Sequence, residues 1–113
     1  MIDALIAGRL YGSPKLGTGK SGNTYTTAKV KAAAGNGETL LCGVIAFDDV
    51  AQTALLAMSD GDSIALSGTL TPKVFQAKDG EYRPGLDMVA HVVLTAYHVK
   101  RKRQALSGGE NDA

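Results

Sequence analysis

At 113 residues, 44% of them hydrophobic and 14 of them glycine, the chain is long enough for one domain around one core. No apolar run approaches the roughly 18–20 residues that cross a bilayer, and "MIDALIAGRL" has no basic segment ahead of its apolar residues, so neither a membrane span nor a secretory leader is expected. The lone Cys42 excludes an internal disulfide framework and fits a reducing cytoplasm, and the net charge of +1 conceals a strong segregation along the chain.

Residues 2–11 suit a strand, with Ile2, Ala4, Ile6, Gly8 and Leu10 on one face and Arg9 and Tyr11 on the other. Residues 12–23 are rich in Gly, Ser, Pro and Asn and read as turn material. Residues 24–34 alternate again. Thr24, Thr26, Ala28, Val30 and Ala32 face one way, and Tyr25, Thr27, Lys29 and Lys31 form a wet, basic face. "GNG" at 35–37 is a hairpin turn. The apolar run "TLLCGVIAF" over 39–47 predicts a well-buried strand, in which Cys42 is a small core residue. Asp48 or Asp49 caps a short helix carrying Ala51, Ala54, Leu55 and Met58, and Gly61 ends it. Residues 63–71 and 86–97 predict two further strands around a hairpin loop with Asp79-Gly80 at its tip. The domain is expected over residues 1–99, followed over 100–113 by a basic run and a flexible polar tail.

Strand, strand, strand, short helix, strand, strand is the order of an all-β, five-stranded Greek-key OB barrel with one helix between its third and fourth strands. It lacks the βαβ alternation of a nucleotide-binding sheet. That matters because Gly19-Lys20-Ser21 matches the end of a phosphate-binding loop. The pattern needs a glycine at position 14, where Pro14 stands, and a helix after Ser21, where "NTYTTAKVK" alternates at period two. No Ser/His/Asp order, paired carboxylate or CxxC supports catalysis, and His91 and His98 make no convincing metal site, so the reading is a binding protein without a cofactor.

Several blocks resemble the bacterial-type single-stranded DNA-binding proteins. "ALIAGRL" is similar to that family's opening strand. "VIAFDDVAQTALLAMSDGDSIALSGTL" is similar to its strand, Phe, helix, "GD" and next strand. "KVFQAKDGEYR" is similar to its basic hairpin and "DMVAHVV" to its last strand, so the likeness covers about residues 2–95. It implies an OB-fold dimer or tetramer that coats single strands in replication, recombination or repair, with Phe75 as a base-stacking aromatic. A phage- or plasmid-type version, or a related primosomal OB protein working mainly through protein partners, shares these features. The chain departs from the family pattern in having no tryptophan, in placing Leu41 near a usual aromatic position, and in ending "GGENDA" without an acidic, aromatic-tipped tail.

Single-strand binding needs cations for phosphates and flat side chains for bases. Residues 1–31 supply Arg9, Lys15, Lys20, Lys29 and Lys31 against Asp3 alone, with Tyr11 and Tyr25 among them. The 73–83 hairpin adds Lys73, Lys78 and Arg83 beside Phe75 and Tyr82. These twelve residues are the candidate DNA-binding set. Phe75 either stacks on a base or packs beneath its hairpin, and Tyr82 either stacks or staples the same hairpin.

Overall fold

The computed structural model describes residues 1–95. In chain order it contains β1 (Ile2–Leu10), β2 (Lys15–Thr18), β3 (Thr24–Ala33), β4 (Thr39–Ala46), α1 (Asp49–Leu56), β5 (Ser63–Gln76) and β6 (Tyr82–Thr95). The sheet order is β1-β5-β6-β4-β3-β2, and a second pairing of β1 with β3 closes it on itself. Every pair is antiparallel except β4 with β6. This is an all-β OB barrel. The five expected strands are all present, and the helix follows the third of them, here β4.

Period-two patterning sets which side chains face inward. On β3, Thr26, Ala28, Val30 and Ala32 are buried while Lys29 and Lys31 are exposed. The core joins Leu10, Val30, Cys42, Val44, Leu66 and Met88 from five strands to Leu55 from the helix. Burying each of the large aliphatic side chains contributes about 1.5–3 kcal/mol against the entropy of ordering the chain. Closure requires close backbone approach. A Cβ on Gly8 would collide with the Lys31 carbonyl of β3, so the β1–β3 seam needs glycine there.

Helix α1 packs against β3, β4 and β6. Asp48 caps it, its carboxylate accepting from the Ala51 N–H at 3.3 Å. Ala51 and Leu55 face the core together with Gln52, which is polar and buried. Gln52 is fully engaged: its Nε2 donates to the Thr24 carbonyl at 3.1 Å and the Phe47 carbonyl at 3.0 Å, while its Oε1 accepts from the Thr26 hydroxyl at 3.0 Å. These bonds tie the helix to the start of β3 and to the residue that follows β4 without leaving a buried amide unpaired.

The structure corrects three details. The 12–23 segment is not all turn, because Lys15–Thr18 forms β2 and pairs with β3 through Lys15↔Thr27 and Thr18↔Thr24. The tight turn follows at 19–23, where the Gly19 N–H donates to the Asn23 carbonyl and Gly22 takes a φ of 85°. The chain after Gly19-Lys20-Ser21 therefore enters a strand, the opposite of what a phosphate loop requires. Second, the helix ends at Ala57 rather than at Gly61, which occupies the next turn. Third, the last hairpin is mostly paired: β5 runs to Gln76 and β6 starts at Tyr82, leaving a short turn around Asp79-Gly80. The expected tail over 100–113 lies outside the described residues.

Candidate nucleic-acid interface

The strand register builds the outer face of the barrel in rows. One row runs Lys29–Gly43–Asp87–Thr71 across β3, β4, β6 and β5. The next runs Thr27–Ile45–Val89–Thr69. Residues directly opposite one another share a face, so these rows make one continuous surface. It forms the floor of an open groove of about 780 Å³, walled on one side by Tyr11, Gly12, Ser13 and Lys15. The β1–β2 connection supplies that wall, and the short β2 pairing with β3 holds it beside the floor.

Tyr11 and Lys31 form a unit at this wall. The Lys31 ammonium stands 4.2 Å from the Tyr11 ring centroid, a cation–π contact at an exposed site worth about 0.5–1 kcal/mol. Tyr25 lies on the same face of β3 and is half-buried, its ring covering Gly17 of β2 so closely that a Cβ there would meet the ring at 2.5 Å. At the far end, Phe75 is half-buried over Gly85, 3.0 Å from where a Cβ would stand. Phe75 pairs with Arg83 and is two residues from Lys73, which puts it on the groove face of the hairpin.

Lys73 and Arg83 already have carboxylate partners. Lys73 Nζ lies 2.7 Å from Asp87 Oδ1, and an Arg83 guanidinium nitrogen lies 2.7 Å from Asp79 Oδ2. A backbone N–H from Glu81 and the Arg83 guanidinium hold the Asp79 carboxyl below the usual carboxylate range. Both pairs are solvent-exposed and therefore weak, so a phosphate can compete for either cation.

Of the expected twelve residues, Tyr11, Lys15 and Lys29 line the groove, Lys31 packs on Tyr11, and Lys73, Phe75 and Arg83 continue its face into the hairpin. Tyr25 shares the strand face beside them. Lys20 and Lys78 lie at exposed hairpin turns. Arg9 stands opposite Lys31 in the β1–β3 register and donates to the Gly61 carbonyl at 3.1 Å, at the loop after the helix. One is placed elsewhere. Tyr82 pairs with Gln76, on the hairpin face opposite Phe75, and is 73% exposed. The twelve candidates leave out Thr27, Ile45, Val89, Thr69, Thr71 and Asp87, all of which line the groove. They also leave out Phe47, which is 57% exposed and follows Leu41, Gly43 and Ile45 at period two. That alternation in "LCGVIAF" was the available signal. From Leu41, whose carbonyl lies near Gly85 under Phe75, to Phe47 is roughly 20 Å at a strand's rise per residue.

Comparison with solved structures places this fold. The small single-stranded DNA-binding protein from Streptomyces coelicolor superposes with a TM-score of 0.65 at 18% identity, over 83% of this chain and 93% of that one. The mitochondrial single-stranded DNA-binding protein Rim1 from S. cerevisiae gives 0.63 at 18% identity, over 84% and 94%. The barrel shares the fold of these two proteins. No family model and no curated relative matches the sequence. The fold expected from the resemblance is thus the fold found, at an identity where side chains have diverged extensively.

Cys42 lies beneath this face, fully buried next to Gly43. Burial, aided by the Asp87 charge and opposed by Lys73, pushes its thiol up to about 11 from 9.0. The unfolded chain therefore releases this proton first, and the stability it carries is present below pH 9 and lost as pH rises towards 11. The urea midpoint of the wild type is expected to fall more steeply across that window than that of Cys42→Ala. Parallel curves would contradict the assignment.

Proposed function

We propose that this chain binds single-stranded DNA with little sequence preference and protects it during replication, recombination or repair. The observation that carries the reading is the groove. It is a concave sheet face with Tyr11 and lysines on its rim, aromatic residues towards both ends, and a floor of mostly short or apolar side chains around Asp87. Lysines neutralise phosphates without reading sequence, and aromatic faces accept any base. The two solved proteins of similar fold are described as single-stranded DNA-binding proteins, which supports the same ligand here.

The chain is also proposed to act as a homodimer or tetramer. Strand β1 pairs with β5 along Ile2–Arg9 but with β3 only over Gly8–Leu10, so one edge of Ile2–Ala7 has no partner among the described residues. Leu5 on this strand is 69% exposed. An unpaired, partly apolar edge suits addition of a second copy.

Titration with a fluorescent oligothymidine, alongside mass in solution, tests both statements. Tight binding that weakens steeply with salt is expected, by an assembly larger than one chain. Absence of binding at low salt would sink the strand-binding reading and favour an OB module that works through protein partners.

A further inference from the structure

The floor of the groove carries a carboxylate where a polyanion would be expected to meet only cations. Asp87 occupies the same row as Lys29 and Gly43, and it is exposed. Two features hold it there. Its Oδ1 accepts from Lys73 Nζ at 2.7 Å, and it lies over Gly43, where an added Cβ would stand 2.7 Å from that oxygen. The absence of a side chain at position 43 is what makes room for the carboxylate. Ile45 and Val89, in the adjacent row, give an apolar surface beside it.

Building on the strand-binding reading, we infer that Asp87 is a specificity-determining residue that makes the groove favour bases with an exocyclic amino group, cytosine in particular, over thymine. A phosphate is repelled from the centre of this floor and drawn to the rim at Lys15, Lys29 and Lys31, which turns the bases inward over Asp87, Ile45 and Val89. An ionised carboxylate accepts hydrogen bonds and cannot donate. Lys73 engages one oxygen and leaves lone pairs on both. Cytosine presents an N4 amino donor to such an acceptor, whereas thymine presents the O4 acceptor at the equivalent position. The bond to cytosine is charge-assisted, and the contact with thymine sets two acceptors against each other.

The test compares oligodeoxycytidine with oligothymidine of equal length, by fluorescence anisotropy at pH 8 and one fixed salt concentration, for the wild type, D87N and K73Q. The quantity read is the ratio of the thymine to the cytosine Kd, and its change between proteins cancels the intrinsic difference between the two polymers. D87N removes a negative charge and supplies an amide that can donate to O4. Both oligomers are expected to bind D87N more tightly, thymine by more, so that the ratio falls about fivefold or further. K73Q breaks the ion pair but keeps the carboxylate, and is expected to keep the wild-type ratio. An unchanged ratio in D87N would overturn the inference. So would an equal fall in K73Q, which would trace the effect to the lost ion pair. If neither oligomer binds the wild type, the strand-binding reading fails and this inference with it. If both bind with a ratio indifferent to D87N, only this inference fails.

Discussion

Alanine at position 68 is expected to destabilise the barrel by about 2–4 kcal/mol, among the larger effects a single methyl group can have. Gly68 is buried on β5 at the register shift between Ser67 and Gly68, opposite Ala90. An added Cβ would collide with the Val89 carbonyl and stand 3.0 Å from the Ala90 Cα. Both obstacles are backbone atoms of β6, so no side chain can rotate away to relieve them. The two strands must separate, which breaks the longest pairing in the sheet. At roughly 4 °C or more per kcal/mol for a domain of this size, the melting temperature of Gly68→Ala should fall by about 10 °C or more. Gly35→Ala is the matched control, since nothing lies within 4 Å of its Cβ and its φ is not positive. Its melting temperature should stay within a few degrees of the wild type. Equal melting of the two variants would show that the bulge tolerates a side chain.

The second large effect concerns binding. Lys29→Ala combined with Lys31→Ala removes two exposed cations from the rim of the groove. Each lysine that neutralises a phosphate on a single strand adds about 0.7 to the slope of log affinity against log salt. The double variant should therefore lose about 1.4 from that slope, and at 0.1 M salt its affinity for oligothymidine should drop about 10- to 30-fold. Neither side chain is in the core, so melting should be little changed. Lys31→Ala also strips the cation from the Tyr11 ring. A slope equal to that of the wild type would mean that phosphates do not run along β3.

The barrel was readable where the side chains report their own periodicity. Residues 24–34 alternate in sequence, and β3 spans Thr24–Ala33 with Thr26, Ala28, Val30 and Ala32 inward and Lys29 and Lys31 outward. The helix was readable because Asp48 and the spacing of Ala51 and Leu55 are local signals. Strand β2 was not, because its four residues lie among glycines and serines, and only pairing with Thr24–Thr27 makes them a strand. The groove was half-readable. Tyr11, Lys15 and Lys29 declared themselves by chemistry, whereas Thr27, Ile45, Val89 and Thr71 are ordinary strand residues that become floor only through register. The same holds for Lys73. Its charge is visible in the sequence, but its partner Asp87 lies across the hairpin and is fixed by pairing alone.

The position of β6 in the sheet has a consequence for how the protein comes into being. It is the last described strand in the chain, yet it lies in the middle of the sheet, between β5 and β4. Until residues 82–95 emerge from the ribosome, β1-β5 and β4-β3-β2 are two half-sheets, joined only by the three-residue seam of β1 with β3. Each half then presents a bare inner edge, and the apolar faces that β6 will cover remain wet. The barrel is a structure with a keystone, so its folding is tied to the synthesis of β6 rather than to growth from the N-terminus.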